Sequence, residues 1–214
     1  MTAKLQKLVG AVGALAISAT MAGCASDFTR DAKSPVRLVI TSLQGASGAT
    51  PNEMSTVTHS DVLTLVTTGG VCTTVNPCPT TFGDPGSVEL RLQLRDVGNV
   101  VSPSSPSQLN AVTISRYHVE YRRSDGRNTQ GVDVPFAFDG AATFTVPSDG
   151  SVSAGFTLVR NVAKGEAPLS ALVNGETLIT TIAYVTFYGR DLAGNDVSVM
   201  GTIEVTFGNF GDPA

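Results

Sequence analysis

Tryptophan is absent from this chain of 214 residues, histidine occurs twice, and charged residues make up only 15% of it. Each shortage excludes something. With His59 and His118 as the only imidazoles, few residues can act as a general base of that type. No G-x-S-x-G, H-E-x-x-H, Walker-type loop or dinucleotide glycine pattern occurs, so no familiar catalytic signature speaks for an enzyme. Arg122 and Arg123 are the only adjacent basic pair, and they read as a solvated strand end. That scarcity argues against binding nucleic acid through charge. The uncharged apolar run 8–21 falls short of the roughly 20 strongly apolar residues that a membrane-spanning helix needs, and it is rich in glycine and alanine.

What is present in quantity is threonine, serine, valine and glycine, the composition of a β-sheet protein with many turns. Strands are expected at 36–43, after Pro35, and at 62–67, closed by Gly69-Gly70. The cleanest alternation lies at 87–95, where Val88, Leu90, Leu92 and Leu94 oppose Glu89, Arg91, Gln93 and Arg95. In 111–123, Tyr117, Val119 and Tyr121 alternate with His118, Glu120 and Arg122, which puts His118 on a solvated face. Asp-Gly pairs at 125–126, 139–140 and 149–150 are expected to be turns between short strands at 136–138, 142–146 and 152–159. Residues 167–173 have room for one helical turn. The segments 45–58, 71–86 and 99–109 read as loops too long to be mere connections.

The amino-terminal 23 residues combine Lys4 and Lys7, the apolar run and a small-residue approach to Cys24, which is the pattern of a secretory signal. The ending Met21-Ala22-Gly23-Cys24 resembles the lipobox of bacterial lipoproteins. The resemblance implies cleavage after Gly23, thioether lipidation of Cys24 and acylation of the new amino terminus, giving a membrane partner through lipid. Ala25 rather than aspartate follows, which by the sorting rule of Gram-negative bacteria favours the outer membrane. Only Lys4 and Lys7 of the 14 basic residues precede Cys24, so the mature chain carries 12 basic against 18 acidic residues, a net charge of −6. Residues 24–35 are polar and aperiodic and read as a lipidated tether, leaving 36–214 as a single elaborated β domain. With Cys24 assigned to lipid, Cys72 and Cys78 remain as a pair in an oxidising compartment, and a disulfide is the natural reading. Their spacing is not C-x-x-C, and neither histidine is near them in sequence, so a redox or metal pair is a poor alternative.

Two long strands, 178–188 and 197–207, flank the turn 191–195 and form a hairpin. This hairpin, with its Asp-x-x-Gly-Asn turn, looks like the closing strand pair of bacterial immunoglobulin-like and fibronectin-type-III-like domains. Residues 114–126 resemble the tyrosine-rich middle strand of the latter. The implied fold is all-β, an antiparallel immunoglobulin-like sandwich with long loop insertions, although the core tryptophan is missing and the domain is about twice the usual ~100 residues. Asp191, Asn195 and Asp196 offer oxygens to calcium, although Asx-rich turns more often satisfy their own backbone. No cofactor is implied. Tyr117, Tyr121, Tyr184 and Tyr188 offer aromatic surface for a glycan or peptide groove, with core packing as the alternative. The function expected is that of a membrane-anchored, non-catalytic envelope module serving in binding or structure, with an envelope protein or glycan as the partner where it binds. The alternatives are an accessory subunit of a secretion or pilus assembly, and a hydrolase with an unrecognised site; Ser60 and Asp61 stand beside His59, but neighbours in sequence do not make a triad.

Overall fold

A computed structural model describes residues 34–211. The expectations for the signal segment, Cys24 and most of the tether lie outside the described residues. Ten strands appear in chain order: β1 (Val36–Gly45), β2 (Val57–Asp61), β3 (Thr64–Val66), β4 (Cys78–Thr80), β5 (Asp84–Leu94), β6 (Val112–Arg122), β7 (Phe138–Val146), β8 (Ser151–Val159), β9 (Ile179–Asp191) and β10 (Asp196–Gly208). They form a three-stranded sheet β1-β5-β8, a five-stranded sheet β2-β10-β9-β6-β7 and a small β3-β4 pair. The chain is therefore all-β. Among the described residues, helix is limited to α1 (Asn161–Lys164) and two 3-10 turns.

The two larger sheets face each other across one hydrophobic core. Period-2 alternation aims Val36, Leu38, Val88, Leu90 and Leu158 from the smaller sheet at Ile114, Val119, Val185, Ile203 and Phe207 from the larger. Residues on both sides of the 99–109 loop thus contribute to the same core. Tyr117 makes edge contacts with Phe138 and Phe156, while Phe156 meets Phe187 edge-on at 5.4 Å between centroids. Tyr121 packs edge-on against Phe207 and donates its hydroxyl to the Leu158 carbonyl oxygen at 2.5 Å. Each of these buried tyrosine hydroxyls finds a partner: the Thr157 N–H donates to the Tyr117 oxygen at 3.1 Å.

Several local expectations change. Asp139-Gly140 is not a turn but lies inside β7, opposite His118 and Tyr117. Glycine is needed there because the Tyr117 ring lies against its α-carbon, and an added Cβ would overlap the ring. The strand expected at 62–67 shortens to β3, and β2 lies before it, across a bend at Val62, in the polar segment 57–61 where no strand is expected. The loop expected at 71–86 contains β4, and β5 begins at Asp84, with Pro85 accommodated at a bulge. α1 lacks the length for a periodic signal and is missed by sequence reading. Asp149-Gly150 does form a turn, but it carries the chain from the larger sheet to the smaller rather than closing a hairpin.

The strand registers define two poles. At one, Val36 faces Leu94, Val112 faces both Asp191 and Val146, and the Arg95 N–H donates to the Pro35 carbonyl oxygen. At the other, Gly45 faces Gly86, Asp61 faces Gly208 and Ile179 faces Phe207. Ser34, where the described chain begins, is at the first pole.

Candidate functional site

At the pole away from Ser34, the 46–56 segment folds over the end of β2 and leaves a groove of about 510 Å³. Its walls include Glu53, Met54, Val57, His59, Asp61 and Phe210. β2 pairs with β10 on one side only, as a parallel strand at the margin of the five-stranded sheet. Such a margin presents backbone N–H and C=O groups on its unpaired side, although at its two ends the Val57 N–H already donates to Ser55 Oγ and the Asp61 carbonyl oxygen accepts from Lys164. Alternation sends the hydroxyl residues Thr58 and Ser60 inward and His59 outward, where its ring meets Phe210 at 5.4 Å. Asp61 ties the groove together: its carboxylate accepts from the Thr64 hydroxyl at 2.7 Å and from the Phe210 N–H at 3.1 Å.

Beneath β2 lies a buried ion pair. Lys164, at the end of α1, donates from Nζ to Asp84 Oδ1 and to the Asp61 carbonyl oxygen, both at 2.7 Å. Gly48 N–H donates to the same Asp84 oxygen at 2.7 Å. The lysine and the aspartate side chains are 1% and 0% exposed, so this contact belongs to the interior and not to a wet surface. Burial raises the Asp84 carboxyl above the ordinary range; the Lys164 charge and its hydrogen bond pull it down but do not cancel the rise. The Ser60 hydroxyl stands beside this carboxyl and lowers it further. It nevertheless makes no well-formed hydrogen bond, and Asp84 Oδ2 is likewise left without one. Burial also pushes the Tyr121 hydroxyl upward, helped by the Asp84 charge, which keeps it protonated and donating. The pair fastens α1, β5, the 46–56 segment and β2 to one another behind the residues that line the groove.

No protein-family model, curated protein or solved structure matches the chain.

The residues singled out in the sequence distribute as follows. Cys72 and Cys78 are at disulfide distance, 2.02 Å between sulfurs, across the β3-β4 connection. His59 reaches the groove, but Ser60 points to the opposite side of β2 and the Asp61 carboxylate is taken by Thr64 and Phe210, so the three do not assemble. His118 Nδ1 is 3.3 Å from Asp139 Oδ1 on the outer face of the large sheet, where Arg116 shares that carboxylate. Arg122 pairs with Glu120, and Arg123 with Asp125.

The four tyrosines do not share a face, which corrects the aromatic-groove expectation. Directly opposed residues of neighbouring strands share a face, and Tyr117 is opposite Phe187 while Arg116 is opposite Tyr188 and Glu120 opposite Tyr184. Tyr117 and Tyr121 are consequently in the core. Tyr184 and Tyr188 are on the outside, under the guanidinium groups of Arg122 at 4.9 Å and Arg116 at 3.8 Å.

In the β9–β10 turn, Asp191 accepts from the Asn195 backbone N–H and side-chain amide, both at 2.8 Å, and Asp196 pairs with Arg190. Burial raises the Asp191 carboxyl, but hydrogen bonds from Asn195, Ser34 and Ala193 outweigh it and hold it below the usual carboxylate range. The turn consumes its own oxygens. Among the described residues no group of three or more His, Cys, Asp or Glu side chains is placed to hold a metal ion. The groove itself was legible only as a long loop at 45–58, since β2 gave no apolar periodicity and Phe210 is far from it in sequence.

Proposed function

We propose that the chain is a lipid-anchored envelope protein whose immunoglobulin-like β-sandwich is a non-catalytic binding module. The observation that carries this reading is the groove along β2: a concave site bounded by a strand margin, flanked by the exposed Met54 and Val57, with its two walls joined from behind by the Lys164–Asp84 pair. A strand margin next to apolar side-chain sites favours an extended peptide segment of another envelope protein, held by backbone hydrogen bonds and by alternate side chains. The same feature favours an accessory subunit of a secretion or pilus assembly as the particular setting. Separation of His59, Ser60 and the committed carboxylate of Asp61 supports binding over hydrolysis. The lipobox at 21–24 supports anchorage through Cys24, at the outer membrane.

The test is a pull-down from detergent-solubilised envelope with the full lipoprotein as bait. We expect a partner that is recovered with the natural sequence and reduced at least about tenfold by Met54→Asp with Phe210→Ser, a loss of roughly 1.4 kcal/mol of binding. Equal recovery by the groove variant, or no partner beyond a Cys24→Ser control, would refute the binding reading. Anchorage is checked separately: a metabolic fatty-acid label should mark the protein and disappear in Cys24→Ser.

A further inference from the structure

The pole around Ser34 carries an apolar crown. Between β5 and β6, residues 97–111 contain no charged side chain. The first part of that segment folds into a well-tied turn: Asp96 Oδ1 accepts from Gly98 N–H at 2.8 Å, and Asn99 Oδ1 accepts from the N–H groups of Val101 and Ser102 at 2.9 and 2.8 Å. Ser104 N–H closes the base by donating to the Val97 carbonyl oxygen at 3.0 Å. At the tip Val100 and Val101 are 101% and 94% exposed, with Val97 and Leu109 beside them at 63% and 65%. The β9–β10 turn adds Leu192, 59% exposed, and its Asp191 hydrogen-bonds Ser34. A held turn that spends its local hydrogen bonds on displaying two bare valines has a surface made for a water-poor neighbour.

We infer that this pole docks on a lipid bilayer, the 97–101 turn dipping its valines into the interfacial layer while the groove at the opposite pole faces away. The inference rests on the lipid-anchor reading. What selects a bilayer as the occupant is where the chain leaves the fold. Ser34 is only ten residues from Cys24, a reach of at most about 33–36 Å, so the crown and the anchor are confined to the same neighbourhood. Apolar docking also suits a mature chain of net charge −6, which gains nothing from anionic headgroups. Two valines bind a membrane feebly alone. Tethered beside it, they need only orient a domain already there.

Because the natural sequence has no tryptophan, a single introduced one reports without background. The full lipoprotein is reconstituted in phosphatidylcholine vesicles as Val101→Trp, as Leu192→Trp, and as Val75→Trp, the last in the exposed Cys72–Cys78 loop. Circular dichroism verifies that each is folded. Expected are blue-shifted emission and strong quenching by brominated acyl chains at positions 101 and 192, and solvent-like emission open to acrylamide at position 75. Flotation of the vesicles separates the two readings. Protein that does not float refutes the anchor; protein that floats with positions 101 and 192 as wet as position 75 refutes docking alone. Shielding of position 101 in native envelope but not in vesicles would assign the crown to a protein partner and overturn the lipid assignment.

Discussion

Lys164 and Asp84 show how much can depend on one pair of side chains that no periodicity marks. Removing one member of a buried ion pair strands the other charge in a low-dielectric interior, at a cost of about 3–5 kcal/mol. Lys164→Met is therefore expected to lower the urea midpoint by that amount of stability. Adding Asp84→Leu should recover part of it, with Gly48 N–H then left unpaired; a double variant no better than the single one would mean the pair does not act as a unit. Asp191 provides a residue-scale prediction in pH. Its folded carboxyl titrates below the unfolded value of about 3.9, so its contribution is complete above that pH and is lost as pH falls through the lower folded value. Asp191→Asn should accordingly flatten the acid limb of the melting-temperature profile below about pH 4, and leave its slope near neutrality unchanged. The sequence disclosed Asp191 as a turn residue because its Gly194-Asn195 context is local. Lys164 and Asp84 are 80 residues apart and stay silent until the fold joins them.

Among the elements, legibility followed amphipathicity. β5, β6, β9 and β10 are long, with one face in the core, and their apolar residues located β6 and β10 to within one residue but missed the first three of β5 and the last three of β9. β2 has Thr58 and Ser60 on its inward face, so its burial leaves no apolar mark; β4 is three residues long. β7 was broken in two by an Asp-Gly pair that usually signals a turn, when the glycine was there to accept a tyrosine ring. That gives a direct check: Gly140→Ala should destabilise by about 1–3 kcal/mol through overpacking, because Tyr117 is enclosed by Phe138, Phe156 and Phe187 and has no room to yield. Thermal unfolding of the variant measures it. The Cys72–Cys78 pair closes a loop of only about six residues, so chain entropy puts its worth at about 2 kcal/mol or less. Reduction should lower the melting temperature by a few degrees and leave the near-ultraviolet signal of the core tyrosines intact, since the β3-β4 pair is separate from both larger sheets.

For the molecule as a whole, the division into poles is what no stretch of sequence could display. The loops at 45–58 and 99–109 look alike as breaks in periodicity, yet the antiparallel run of β1 along β5 sends them to opposite ends, one beside Gly45 and the other beside Ser34. One roofs a groove over a strand margin; the other displays bare valines. Their different chemistry was present in the residues, but its meaning depended on position.

The placement of β10 has a consequence in time. Among the described residues it is the sole sheet neighbour of β2, and it lies between β2 and β9, so the early strand beside the groove waits for residues 196–208 before it has a strand to pair with. The smaller sheet β1-β5-β8, by contrast, has all its strands once Val159 is made, so the margin beside the groove is the last part of the sandwich to find its partner.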